Sequence, residues 1–271
     1  MTASSEPAAH KGRRVLTDPL AEDLWRPVRW SDQPKRRPNR WPVVEVAAIG
    51  ILFVWNVAAN VLVPEDAGLP LNLLFVALLV FVGRRAGLSW DLMGARRATV
   101  GKGLRVGAVV AVPAMFVVAI AAFVPATREF LADDRFIGVG QGMALYESLV
   151  RIPFGTSLAE EIAFRGVMLG LLLAWTSPLR ASLLTAVLFG FWHILPALDA
   201  LRTNVVGELA PGSAGTVSGV VGQVLVTGLA GLGFAWLRFR GNSIATPVIV
   251  HWAINGSAYF AGWLIVDNAW V

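Results

Sequence analysis

Between residues 43 and 266 the chain returns repeatedly to long apolar runs, at 43–63, 67–83, 106–124, 181–198, 214–237 and 241–266. An α-helix rising about 1.5 Å per residue needs about 20 apolar residues to cross the hydrocarbon of a bilayer, and these runs have that length. Inside lipid no water satisfies a backbone N–H or C=O, so a spanning segment is a helix or part of a closed barrel. A barrel strand would alternate over about ten residues, whereas these runs are continuous and longer. The pattern predicts an all-α, polytopic transmembrane helix bundle with no sheet.

Composition agrees with a membrane setting. Hydrophobic residues make up 56 % and charged residues 15 % of the chain, against about 45–50 % and about 25 % in soluble domains. The absence of cysteine excludes disulfides, thiol catalysis and Cys-ligated zinc or iron–sulfur centres. A net charge of +5 could point to nucleic acid, but 15 of the 23 Lys/Arg lie in residues 1–41 and 84–105. Both segments flank apolar runs, as membrane loops do, and no nucleic-acid motif accompanies them. The expected partner is the lipid bilayer, with no nucleic acid.

In chain order, residues 1–41 carry nine Lys/Arg among prolines and read as a basic, largely disordered cytoplasmic tail. No apolar stretch follows a short charged start, so the tail is not a cleaved signal peptide. Residues 42–271 read as a single membrane-embedded helical domain. Asn56 and Asn60 share a helix face and should hydrogen-bond to neighbouring helices. Residues 84–105 read as a cytoplasmic loop, 125–139 as an external loop and 238–240 as a basic turn. The segment 140–175 is longer than one crossing needs, and Pro153 and Gly155 should break or kink it. Glu147 and Arg151 form an i,i+4 pair on its first half. Gly228, Gly231 and Gly233 should let helices approach closely. Seven crossings with a cytoplasmic N-terminus place 18 Lys/Arg inside and 3 outside. An eighth crossing at 140–155 would make the split 16 to 5, a weaker fit to the positive-inside rule.

The polar residues that remain inside the apolar runs are few. Residues 157–170, SLAEEIAFRGVMLG, place Glu160, Glu161 and Arg165 in otherwise apolar sequence. Ionisable groups at membrane depth are costly and mark functional sites, although a structural ion pair would look the same in sequence. Glu161 and Arg165 stand at i,i+4 and should pair, leaving Glu160 on a neighbouring face. Of three histidines, His193 and His251 both fall within apolar runs, and Asn255 follows His251 by one turn. Three spans therefore carry groups suited to hydrolysis. A glutamate in a poor dielectric can serve as general base for a water. Two imidazoles and a carboxylate also make a ligand set for a catalytic zinc. Without metal, a histidine could orient the water while His251 and Asn255 donate to an oxyanion. The zincin motif HExxH is absent, so any metal site would be assembled across helices.

The ordered motifs Glu160-Glu161-x-x-x-Arg165, Phe189-x-x-x-His193 and His251-x-x-x-Asn255 resemble those of the CAAX-prenyl-protease type II and bacteriocin-processing (CPBP, or Abi) family of intramembrane proteases. The resemblance covers roughly residues 140–266, and the first third of the chain carries no family signal. It implies Glu160 as the catalytic glutamate, His193 as its partner in activating water, and His251 with Asn255 on the oxyanion side. Glu161 and Arg165 would support them as an ion pair. The family's classification as metalloproteases implies a zinc held by Glu160, His193 and His251, while a metal-free glutamate mechanism is also compatible with it. The implied activity is endopeptidase cleavage of membrane-associated proteins or peptides by a multi-pass protein of the cell membrane. A non-catalytic immunity or scaffold protein of the same fold is an alternative. A proton-coupled transporter is another, though the chain lacks the duplicated half and paired broken helices of many transporters.

Overall fold

The computed structural model describes residues 41–64, 67–209 and 211–267; the tail expected over 1–41 lies, but for its last residue, outside them. Helix α1, Trp41–Val57, runs into a π-helical turn, Ala58–Leu62, and α2 is Gly68–Arg85. A short helix, Trp90–Met93, leads into α3, Arg97–Phe123. Helix α4 occupies residues 141–173. Then come α5, Pro178–Trp192, prolonged by Ile194–Ala200, α6, Gly212–Gly241, and α7, Ala245–Val266. No strand occurs among the described residues.

Among the described residues six helices are long and apolar enough to cross a membrane: Pro42–Leu62, Gly68–Arg85, Trp90–Phe123, Pro178–Ala200, Gly212–Gly241 and Ala245–Val266. The seventh expected crossing, α4, is helical but stands apart because it carries the charged groups. The outward faces are large and apolar, with Phe53, Phe116 and Leu229 exposed by 70 %, 65 % and 68 %. Such a surface suits lipid rather than water. The chain is an integral, multi-pass membrane protein.

From about residue 155 onward, α4 is the buried axis of the bundle. Ala159, Ala163, Phe164, Val167, Met168 and Leu171 all lie in the main core, and a helix apolar on every face is one surrounded by others. Contrary to expectation, α4 runs unbroken past Pro153 and Gly155. Residues Glu147–Leu158 wind as a π-helix, and a wider turn accommodates a ring that lacks an N–H and crowds the preceding carbonyl. A second π stretch, Ile162–Met168, follows the α-helical turn Ala159–Glu161. Glu147 and Arg151 form the anticipated ion pair.

Three further expectations are corrected. Helix α3 begins at Arg97, inside the segment read as a loop, because basic residues at a helix end are compatible with helix while composition alone suggested a loop. Between α5 and α6 lies a short helix, Val205–Leu209. The expected basic turn 238–240 is the last turn of α6, and Arg238 is fully buried. Its guanidinium donates to the carbonyls of Asp91 and Leu92 at 3.3 and 3.2 Å, a charged cap on the end of the short helix. Of the three glycines, Gly228 and Gly231 do face Ala186 of α5, but Gly233 faces open space.

On the far side, the 125–139 segment docks through Asp134 N–H to Thr203 O at 2.9 Å and Trp263 Nε1–H to Val139 O at 2.7 Å. Burial works against the Asp133 carboxylate, but its hydrogen bonds and charge contact with Arg135 outweigh that and hold it below the ordinary range. These ties fix where α4 starts.

Gly94 closes the turn over Arg238 at φ +67°, and an added Cβ would come within 2.0 Å of the Arg238 Nε. Gly94→Ala should therefore destabilise the protein by about 1–3 kcal/mol, read as a lower thermal unfolding midpoint in detergent; an unchanged midpoint would contradict this packing.

Candidate active site

The turn Ala159–Glu161 sends two adjacent carboxylates to different neighbours, as a helical step of about 100° requires. Glu161 is completely buried and faces α7. Its Oε1 accepts from Arg165 NH1 at 2.9 Å and from His251 Nδ1 at 2.9 Å. Arg165 thus sits on Glu161, as the i,i+4 spacing predicts. Glu160, 8 % exposed, faces the end of α5, where its Oε1 accepts from Trp192 Nε1 at 3.2 Å. Its Oε2 is buried and has no hydrogen-bond partner among the described residues. That bare oxygen lies 3.9 Å from His251 Nε2. The His251 ring therefore bridges the two carboxylates, one nitrogen to each.

Aromatic rings enclose this cluster. The Arg165 guanidinium lies 4.1 Å from the Phe189 ring centroid and 5.0 Å from that of Phe234. A desolvated cation on a ring face gains about 2 kcal/mol. Phe234 also stacks on His251, centroids 4.8 Å apart and planes 19° from parallel. Phe189 meets His193 edge-on at 4.6 Å and His251 at 6.2 Å. The rings exclude water from the Arg165 side, so the ion pair is unscreened and the orientations of Arg165 and His251 are fixed.

His193 ends α5, its backbone at φ −87° and ψ 5° separating that helix from Ile194–Ala200. Its Nδ1 lies 2.7 Å from Phe189 O. A carbonyl only accepts, so Nδ1 carries the hydrogen, and in the neutral ring Nε2 presents a lone pair. His193 is half-buried, and no hydrogen bond joins it to Glu160 or His251 among the described residues. Asn255, also half-buried, lies one turn beyond His251 with its side chain unbonded among the described residues. The structure thus brings together Glu160, Glu161, Arg165 and His251; His193 approaches from across the Phe189 ring, and Asn255 from the next turn of α7.

The expected zinc ligands Glu160, His193 and His251 do not form a shared set. Among the described residues no three His, Asp or Glu side chains are placed to hold one ion. His251 and His193 each spend Nδ1 on a protein acceptor, which leaves Nε2 as the nitrogen either ring could offer to an ion.

Several groups at the site carried no sequence signal. Trp192 stands inside the LFGFWH stretch beside His193, but nothing in spacing shows that an indole will reach Glu160. Phe234 lies on a span otherwise remarkable only for glycines. Asn56 bonds across to the Trp192 carbonyl at 2.9 Å, as its intramembrane position suggested. Asn60 does not: it donates to Asn56 O in its own helix at 2.8 Å, because it lies on the π turn where α1 ends.

Residues 143–257 match the family model described as type II CAAX prenyl endopeptidase Rce1-like. No curated protein and no solved structure matches the chain significantly. The matched segment contains Glu160, Glu161, Arg165, His193, His251 and Asn255 together. Over that segment, less than half of the chain, the protein is similar to the type II CAAX prenyl endopeptidases of the Rce1-like family.

Proposed function

We propose that this protein is an intramembrane endopeptidase in which Glu160 is the general base for a hydrolytic water, acting on membrane-associated protein or peptide substrates. The observation that carries the reading is the asymmetry of Glu160: one oxygen bonded to Trp192, the other bare, buried and 3.9 Å from His251 Nε2. A water bonded to both at about 2.8 Å would fit that gap. The same groups strung along the membrane normal would favour a proton relay; His251 instead hydrogen-bonds Glu161 and lies 3.9 Å from Glu160, which supports a single reaction centre.

Charge counting sets the roles. Glu160, Glu161 and Arg165 sum to one negative charge in a poor dielectric, and an imidazolium at His251 makes the cluster neutral. His251 then donates Nδ1–H to Glu161 and turns Nε2–H toward Glu160. His193, neutral with a free Nε2 lone pair, accepts a hydrogen bond from the water. Glu160 removes the water's other proton as the oxygen adds to the scissile carbonyl carbon, and the carbonyl π pair moves onto oxygen. His251 Nε2–H and the Asn255 amide donate to that oxyanion. On collapse the C=O reforms, the C–N bond breaks and Glu160 returns its proton to the departing nitrogen.

The test is purified protein in detergent against a peptide library. Glu160→Gln should keep its unfolding midpoint and lose cleavage. Activity at the wild-type rate in that variant would end the mechanism, and activity lost to a chelator and restored by zinc would replace it with a metal-dependent one. Asn255→Ala should lower kcat by about 10²–10³-fold, the effect of one lost oxyanion donor; a change confined to KM would place Asn255 in substrate binding instead. Arg165→Ala, which leaves Glu161 buried without its cation, should cost about 3–5 kcal/mol of stability as well as activity, read by the unfolding midpoint.

A further inference from the structure

Glu160 has one occupied and one open oxygen, and the occupied one is held by a group with unusual credentials for that place. The indole N–H of Trp192 reaches Glu160 Oε1 at 3.2 Å. An indole donates but neither accepts nor titrates. It can fix a carboxylate without adding a charge that would neutralise it and without competing for the proton that the base must take. A lysine or arginine in the same position would pair with Glu160 as Arg165 pairs with Glu161.

The indole is itself held from outside the family segment. Trp192 is 9 % exposed. Its ring meets Trp55 of α1 edge-on at 4.9 Å and 68°, and Phe164 of α4 at 5.6 Å and 74°. Its backbone carbonyl accepts from Asn56 Nδ2 at 2.9 Å. Trp55 is anchored in turn by Nε1–H to Asn72 Oδ1 at 2.7 Å, and Asn72 donates to Gly155 O of α4 at 2.8 Å. A closed path therefore runs from α4 through α2 and α1 to the end of α5 and back to Glu160 on α4. Residues 41–85 lie outside the matched segment 143–257, yet they fix the ring that contacts its glutamate.

We propose that Trp192 is a positioning residue for Glu160: its N–H pins Oε1, so that Oε2 alone faces His251 and takes the water, while Trp55 and Asn56 of α1 hold the indole in register. This rests on the reading of Glu160 as the base. The role is one of aim, so it acts on turnover and not on substrate affinity.

The deciding variant is Trp192→Phe, which keeps an aromatic ring and removes the N–H. With the internally quenched peptide that the wild type cleaves best, kcat should fall about ten- to a hundredfold, the size of one hydrogen bond to a carboxylate, with KM and the unfolding midpoint unchanged. Asn56→Ala, which leaves the indole but frees its backbone, should give a smaller loss of the same kind. A wild-type kcat in Trp192→Phe, or a loss that tracks a lowered midpoint in both variants, overturns the proposal. A second readout is independent of cleavage. In infrared spectra of protein carrying isotope-labelled glutamate, the carboxyl band abolished by Glu160→Gln should shift in Trp192→Phe. A band that stays in place overturns the contact. If the wild type cleaves no peptide, the protease reading fails, and the infrared shift still decides whether Trp192 holds Glu160.

Discussion

The buried pair of Glu161 and Arg165, with side chains 0 % and 1 % exposed, is the interaction on which the rest of the centre depends. Taking two charges out of water is expensive, and their attraction repays it only with good geometry and further partners. Here the further partners are specific. Phe189 and Phe234 cover the guanidinium, and His251 takes a second bond to the carboxylate oxygen that Arg165 already holds. Removing the arginine would therefore loosen α4 from three neighbours at once, since α5, α6 and α7 each send a side chain to it or to Glu161. The pair also orients His251, because a ring fixed at Nδ1 can only present Nε2 to Glu160.

That centre needs α4 to place consecutive carboxylates at the right depth and rotation, and the helix does so by changing its winding. The π stretches Glu147–Leu158 and Ile162–Met168 flank the three α-helical residues that carry Glu160 and Glu161. Such bulges occur often at functional sites. Each wide turn delays the rotation of side chains along the helix, which allows Ser148 O to accept from Trp252 and Glu161 to meet His251 on the same neighbour, α7. The proline that seemed set to break the segment lies within the first of these turns.

Sequence made the helix class, the lengths of the spans and the three motifs legible, because apolar run length and intramembrane charge are direct consequences of the bilayer as solvent. The i,i+4 pairing of Glu161 with Arg165 was legible for the same local reason. What was not legible is whatever depends on distant parts of the chain. Arg238 looks like a surface cation until the carbonyls of Asp91 and Leu92 close over it. The start of α3 at Arg97 is hidden because loop and helix end share a basic composition. The contribution of α1 and α2 is invisible in any motif, since Trp55, Asn56 and Asn72 act through contacts with residues 17 to 136 positions away. The first third thus carries no family pattern yet braces the elements that do.

The same charge accounting that explains the resting site explains why it should suit a tetrahedral intermediate. In a low dielectric the separation of charge is what a reaction must avoid. In the proposed reaction Glu160 becomes neutral as it takes the water's proton, and the negative charge it loses reappears on the substrate oxygen. His251, held by Glu161 and flanked by both positions, can pair with the glutamate before the transfer and with the oxyanion after it. The cluster of Glu160, Glu161, Arg165, His251 and substrate would then stay neutral overall, and only the place of one negative charge would move, by a few ångströms. Donors already aimed at that location cost no reorganisation when the charge arrives, which is the source of most electrostatic catalysis. A site buried among Phe164, Phe189 and Phe234 would make any other arrangement costly, and so apolar surroundings that look hostile to hydrolysis would make a fixed N–H donor effective.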